Sequence, residues 1–173
     1  MKILSERIKD FYERLNTNES LDSLIIEIDD LLEINKNSLP LLLIKGICYF
    51  KLKKYDECEK TFKHSLEMYP NDINTLSNYG VFLINLSRYE ESKNIYKSLI
   101  QIQPKNLSFL NNLGISYFHL GELDTSLTIF SKALEINDCD HNSLINYANS
   151  LMELGLLGNA EIYYKKSLSI NQR

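Results

Sequence analysis

Apolar and small residues recur along most of the chain at spacings of three and four. One such set is Leu42, Gly46 and Tyr49, and a second is Tyr55, Cys58, Phe62 and Leu66. Residues three and four apart lie on the same side of an α-helix. A short polar break at Lys53-Lys54 separates the two sets. The pattern therefore predicts two amphipathic helices, A and B, joined by a short turn.

The same pattern returns every 34 residues. The small residue of helix A recurs as Gly46, Gly80, Gly114 and Ala148. Helix B carries a second small position at Cys58, Ser92, Ser126 and Ala160, and an aromatic position at Phe62, Tyr96, Phe130 and Tyr164. Agreement in phase at many positions indicates an internal repeat. The predicted units are 39–72, 73–106, 107–140 and 141–173.

Glycine and proline mark the predicted helix ends. Gly121 and Gly155 fall in the breaks between helices A and B, where a left-handed residue ends a helix. Pro70 and Pro104 follow helix B in the first two units. Gly114, by contrast, lies inside helix A, and we expect it to permit close approach of the neighbouring helix.

These positions resemble the tetratricopeptide repeat family, which favours small residues at places eight and twenty, an aromatic at place twenty-four and a proline near the end. The resemblance implies an all-α fold, an α-α superhelix (TPR solenoid) of antiparallel helix pairs, with four repeats over Leu39 to Arg173. Continued backward, the register covers Ser5 to Ser38, but Tyr12 and Leu24 occupy the places that are small elsewhere. Residues 1–38 are thus either a degenerate N-terminal repeat or a capping helical pair.

Composition narrows the function classes. The chain has 173 residues, of which 44% are hydrophobic, and a net charge of -4, which disfavours nucleic acid and anionic membrane surfaces as partners. We find no apolar run long enough to cross a bilayer and no signal-peptide pattern at the start. Three cysteines without a CxxC pair favour reduced thiols. These features predict a cytoplasmic location.

Catalytic chemistry has one candidate segment, Asp138-Cys139-Asp140-His141. A zinc site needs three or four ligands, and the segment offers one Cys beside one His. It falls at a turn between units, where Asp is a favoured turn and N-cap residue. The sequence therefore predicts no catalytic residue, no metal site and no cofactor, and so a protein that is not an enzyme.

The family resemblance implies that the A helices line a concave groove. A clamp for an acidic C-terminus needs Lys and Arg there, and the corresponding places are mostly Asn, Ser, Leu and Ile. Place six is asparagine in three units, which resembles the asparagine ladder of some family members: Asn78, Asn112 and Asn146. Each carboxamide offers both a donor and an acceptor to a peptide bond. The neighbouring predicted groove residues are Ile47, Val81, Ile115, Phe118 and Asn149. Ordinary solvated surface is the alternative interpretation of these asparagines.

The sequence thus predicts a non-catalytic protein–protein interaction module, an adaptor or chaperone-like protein that binds an extended, weakly charged segment of another protein. The alternative is a self-assembling structural scaffold that stacks through an uncapped C-terminal edge. The residues expected to mediate such self-association are Tyr164, Leu168 and Ile170. Arrays of repeats usually carry a polar cap, and the sequence has no further polar helix after the fourth unit.

Overall fold

A computed structural model describes residues 2–17 and 20–170. Met1, residues 18–19 and residues 171–173 lie outside it, and these include the last three residues of the predicted fourth unit. The described residues form ten α-helices and no strand. In chain order the helices are α1 Lys2–Arg14, α2 Leu21–Ile34, α3 Leu39–Lys51, α4 Tyr55–Met68, α5 Ile73–Asn85, α6 Tyr89–Ile102, α7 Leu107–His119, α8 Leu123–Ile136, α9 His141–Glu153 and α10 Leu157–Ile170.

Helix lengths alternate in a regular way. Each odd-numbered helix from α3 onward has 13 residues and each even-numbered one has 14. The odd-numbered helices begin at Leu39, Ile73, Leu107 and His141, one repeat length apart. Consecutive helices α7 and α8 pack against each other, as do α9 and α10. The predicted all-α fold of paired helices A and B is confirmed.

The four A-to-B turns from α3 onward each contain a left-handed residue. The backbone angle φ is 58° at Lys53 and at Ser87, 78° at Gly121 and 76° at Gly155. At the third turn, Gly121 N donates to Phe118 O at 3.0 Å and Glu122 N donates to Tyr117 O at 3.0 Å. These two bonds satisfy carbonyls at the end of α7 in the Schellman arrangement. The left-handed ending predicted for helix A is thus present even where the residue is not glycine.

The N-terminal pair keeps the repeat register in only one of its helices. Helix α2 begins at Leu21, in phase with α4, whereas α1 begins three residues before the register would place it, at Lys2 rather than Ser5. The connection between α1 and α2 is correspondingly longer than the other A-to-B turns. Phe11 is fully buried and Tyr12 is 38% exposed, so Tyr12 does not occupy the close-contact position of a repeat.

The chain divides into two compact units, Met1–Tyr79 and Gly80–Arg173, with the boundary inside α5. In the first unit, one buried cluster joins α1, α2 and α3 through Phe11, Leu24, Ile28, Leu41, Ile44 and Cys48. In the second unit, the fully or nearly buried residues include Leu99, Leu113, Phe130, Ala133, Leu144 and Leu151. Burial of these apolar side chains is the main stabilising term in each unit.

Each helix-A glycine accommodates an aromatic ring from its own helix B. A Cβ atom added to Gly114 would lie 2.6 Å from Cζ of Phe130, and one added to Gly80 would lie 2.7 Å from Cε2 of Tyr96. Such distances are far shorter than ordinary contacts, so a Cβ at either position would force the ring to shift. The close approach predicted at Gly114 is confirmed, and the approaching group is a side-chain ring.

Buried hydroxyl groups fix the stacking of helices in the second unit. Ser92 Oγ donates to Gly80 O at 3.1 Å, and Ser116 Oγ lies 3.2 Å from Ser92 Oγ. All three residues are buried. A buried hydroxyl group without a partner would destabilise the fold, so these contacts favour this packing of the helices. The same arrangement recurs one repeat later in Ser126, Gly114 and Ser150, at 3.1 Å for both contacts.

Candidate functional site

An open depression of about 330 Å³ lies between α7 and α9 in the second compact unit. Its lining residues are Leu107, Ser108, Asn111, Asn112, Ile115, Asp140, Asn142 and Asn146. Two of the predicted ladder asparagines, Asn112 and Asn146, therefore lie together, with the predicted apolar residue Ile115 beside them. Helix geometry explains this meeting, because residues at the same place of successive repeats occupy equivalent faces.

The side chain of Asn112 is held by a buried tyrosine. Its Nδ2 donates to the hydroxyl oxygen of Tyr96 at 3.0 Å, and Tyr96 is fully buried. The ring of Tyr96 passes over Gly80, where no Cβ obstructs it. Within the described part of the chain, Asn112 Oδ1 accepts no hydrogen bond. The carboxamide thus has a fixed orientation with its acceptor available.

The side chain of Asn146 has more freedom. Ser150 Oγ donates to the backbone oxygen of Asn146 at 3.0 Å, and no described residue bonds its carboxamide. The residue that corresponds to Tyr96 one repeat later is Phe130, which has no hydroxyl group. Asn146 is half-buried and keeps both its donor and its acceptor for a ligand.

The predicted residues of the first unit and of helix α5 are half-buried. Asn78 lies on α5, where its Nδ2 donates to Asn74 O at 2.8 Å. Ile47 packs partly against the buried cluster of the first unit. Val81 follows on α5, and its backbone oxygen accepts from Asn85 Nδ2 at 2.9 Å. These three side chains do not line the depression between α7 and α9.

Phe118 and Asn149 lie outside the depression as well. Phe118 makes an edge contact with His119, at 5.3 Å between ring centroids, and His119 stacks on Tyr89 at 4.4 Å. Asn149 Oδ1 accepts a hydrogen bond of 2.5 Å from the hydroxyl of Tyr164. Asn149 is thus engaged with a residue of its own helix pair.

Three polar residues of the site form a network that the repeat pattern did not predict. Asp140 Oδ2 accepts from Ser143 N at 2.9 Å, from Ser143 Oγ at 2.6 Å and from Asn111 Nδ2 at 3.1 Å. Ser143 Oγ also lies 3.1 Å from Asn111 Oδ1. Ser143 and Asn111 are buried. The network links α7 to the start of α9, and an Asp followed three residues later by Ser was its only sequence signal.

The carboxyl group of Asp140 is the one charged group in the lining of the depression. Burial raises its pKa, but hydrogen bonds from Ser143 and Asn111 outweigh burial and hold the pKa below its ordinary value. The group is therefore a carboxylate at neutral pH, and the depression carries negative charge.

The segment Asp138-Cys139-Asp140-His141 forms a turn and an N-cap, as predicted. Asp140 caps α9, and Asp138 pairs with Lys166 at 2.8 Å. Cys139 is exposed, and His141 Nδ1 lies 2.8 Å from Ser167 Oγ. Within residues 2–17 and 20–170, no group of three or more His, Cys, Asp or Glu side chains is arranged to hold a metal ion.

None of the helices in the described ranges is both long and apolar enough to cross a bilayer. Together, the paired helices and their 34-residue spacing define a helical repeat protein, with a depression between α7 and α9.

Comparisons with known proteins agree with this class. A profile described as "Psidin, N-terminal TPR repeats region" matches residues 5–129, and one described as "Tetratricopeptide repeat" matches residues 141–173. The chain belongs to the tetratricopeptide repeat family. It is a protein-interaction or scaffold module, the role for which this fold is typical. None of the curated proteins matches the sequence significantly.

Solved structures show the same fold. MamA 41-end from Desulfovibrio magneticus RS-1 superimposes with a TM-score of 0.85 at 15% identity, over 96% of this chain and 94% of that chain. MamA AMB-1 gives a TM-score of 0.81 at 16% identity, over 95% of this chain and 96% of that chain. At such low identity the likeness extends to the fold alone.

Proposed function

We infer that the protein binds an extended, weakly charged segment of another protein across the surface formed by α7 and α9. The observation that supports this most directly is the meeting of Asn112, Asn146 and Ile115 in one depression. Asn78 holds the corresponding place of the preceding repeat, on α5. The function is one of binding, and no step of it requires a reaction.

The two carboxamides are suited to a peptide backbone. Asn112 presents its oxygen in an orientation fixed by Tyr96, so it accepts from a backbone N–H of the bound segment. The carboxamide of Asn146 keeps both its donor and its acceptor. It pairs with a further peptide unit, donating to the C=O and accepting from the N–H of that unit. Recognition of this kind reads the main chain, so it gives affinity with a loose sequence preference. Ile115 adds an apolar contact between the two polar ones.

A selected ligand makes this proposal testable. Display of random extended peptides on phage yields binders to the wild-type protein, and calorimetric titration then compares the wild type with the double variant Asn112→Ala/Asn146→Ala. Loss of hydrogen bonds worth about 0.5–1.5 kcal/mol each weakens binding roughly tenfold or more. The matched control is Asn94→Ala/Asn159→Ala, two exposed asparagines on α6 and α10, which leaves affinity unchanged. Equal affinity of the wild type and the first variant, or the absence of any selected binder, contradicts the proposal.

A second candidate function, self-assembly, is favoured by the surface of α10. Leu157 and Leu168 are 64% and 63% exposed, and their spacing places them on the same side of the helix as Tyr164. Tyr164 is itself half-buried and bonded to Asn149, so it contributes the edge of its ring. Ile162 is also 63% exposed, and Ile170 is half-buried. The proposed occupant of this surface is a second copy of the chain.

Light scattering during size-exclusion chromatography tests self-assembly. If α10 mediates it, the mass rises with protein concentration for the wild type and stays that of a monomer for Leu157→Gln/Leu168→Gln. The control Ile102→Gln alters another exposed apolar residue, at the end of α6, and assembles like the wild type. A wild-type mass that stays monomeric at all concentrations contradicts this candidate.

A further inference from the structure

The depression between α7 and α9 carries a negative charge that the recognition of a peptide main chain does not use. Among the described residues, Asp140 is its one charged lining residue, and no Lys or Arg lines it. Its other polar groups are the neutral side chains of Ser108, Asn111, Asn112, Asn142 and Asn146. A ligand group that enters the depression therefore meets a carboxylate without a counter-ion in the lining.

The hydrogen bonds of Asp140 involve one of its two oxygens. All three donors from the described residues, two on Ser143 and one on Asn111, approach Oδ2. Oδ1 accepts from none of them. The network thus holds the carboxylate through Oδ2 and leaves Oδ1 as an ionised acceptor for an incoming donor, and a hydrogen bond to an ionised group is about twice as strong as a neutral one.

Two aliphatic side chains, Leu107 and Ile115, lie in the same lining. A Lys or Arg side chain combines an apolar stem with a cationic end, so it packs its stem on such groups and places its charge at a carboxylate. A neutral or acidic side chain leaves Oδ1 without a strong donor or opposes its charge. The net charge of the chain, -4, also favours a basic ligand group.

We propose that this depression is a specificity subsite for a single Lys or Arg side chain of the bound segment, with Asp140 as the residue that recognises the cation. This inference rests on the proposed function, because it assigns a side-chain preference to the same surface. The bound segment remains weakly charged and carries one basic residue at a fixed position relative to the backbone contacts of Asn112 and Asn146.

A small probe tests the subsite without the rest of the ligand. Nα-acetyl-lysine N-methylamide is titrated into isotope-labelled protein, and the side-chain amide signals of Asn111 and Asn112 are followed by NMR. The neutral probe Nα-acetyl-norleucine N-methylamide has nearly the same shape without the cation. We expect saturable shifts with the lysine probe and none with norleucine. Equal responses to both probes overturn the proposal, whatever the behaviour of any variant.

Variants then assign the effect to Asp140. Asp140→Asn keeps an N-cap acceptor for α9, so the fold is preserved, while the charge is removed. The matched control is Asp138→Asn in the same turn, whose carboxylate pairs with Lys166 and does not line the depression. The lysine response disappears in Asp140→Asn and persists in Asp138→Asn. A lysine response that survives in Asp140→Asn overturns the assignment.

Selected peptides separate this inference from the function on which it rests. Replacing the basic residue of a phage-selected peptide with norleucine weakens binding to the wild type about three- to tenfold and leaves binding to Asp140→Asn unchanged. High salt reduces the difference for the wild type. Peptide binding that depends on Asn112 and Asn146 but shows no preference for a basic residue contradicts the proposed subsite and supports the proposed peptide-binding function. A lysine-probe response that requires Asp140, without any peptide binding, retains the subsite and rejects the function.

Discussion

Nδ2 of Asn112 donates a hydrogen bond of 3.0 Å to the hydroxyl oxygen of Tyr96. The bond connects the surface of α7 to a fully buried ring on α6. Gly80 makes it possible, since a Cβ at this position would lie 3.0 Å from the hydroxyl oxygen of Tyr96 and even closer to its ring. A core residue of one repeat thus orients the proposed ligand-binding residue of the next.

The first prediction concerns this bond. Tyr96→Phe removes the hydroxyl and leaves a ring of the kind that Phe130 already provides one repeat later. We expect a loss of about 0.5–1.5 kcal/mol in the free energy of unfolding, and weaker peptide binding because Asn112 becomes free to rotate. Urea denaturation and calorimetry measure the two effects. A variant with wild-type values for both shows that the bond has no role in orienting Asn112.

The second prediction compares two glycines. A Cβ at Gly114 would meet the ring of Phe130, whereas one at Gly158, in α10, would meet nothing within 4 Å. Gly114→Ala therefore overpacks the helix pair and lowers the free energy of unfolding by about 1–3 kcal/mol, and Gly114→Leu lowers it further. Gly158→Ala raises it by up to about 1 kcal/mol through higher helix propensity. Thermal melting of both variants is the measurement, and an unchanged melting temperature for Gly114→Ala argues against the ring contact.

The third prediction uses the three thiols as reporters of burial. Cys139 is exposed, whereas Cys48 and Cys58 are buried. Burial raises the pKa of Cys58 to about 12 and that of Cys48 to about 11. Since the thiolate is the reactive form, a disulfide reagent labels Cys139 quickly in the native protein and the other two after unfolding in urea. Fast labelling of Cys58 in the native protein would show that α3 and α4 do not pack as they do in the structure.

The fourth prediction concerns acid stability. The folded pKa of Asp140 is lowered by its hydrogen bonds from Ser143 and Asn111, which outweigh the raising effect of burial. Its carboxylate therefore contributes stability above the ordinary pKa of about 3.9, and this contribution is lost as pH falls through the lower folded value. The stability difference between the wild type and Asp140→Asn should shrink as pH falls below about pH 4. Urea midpoints as a function of pH measure it, and a difference that does not vary with pH rejects the role of the charge.

The sequence by itself determined the helix pairs, their turns and the shared face of Asn112 and Asn146. These features follow from local rules: three-and-four spacing defines a helical face, and a residue that adopts positive φ ends it. The 34-residue repeat then carries a local face into each successive unit, so a position predicted once is predicted four times. Gly114 was likewise identifiable, because a small residue recurring inside an apolar run has few explanations other than close packing.

The tertiary structure decided which side chains meet. Asn111 bonds Asp140 from 29 residues away, and Asn149 bonds Tyr164 from 15 residues away. Such pairs depend on the rotation of each helix and on the rotamers that packing allows, and neither is encoded in the spacing of residues along one helix. The start of α1 at Lys2, three residues before the repeat register, was likewise not predicted from the repeat. Local periodicity specified the elements, whereas long-range packing specified the charge and hydrogen bonds of the surface they form.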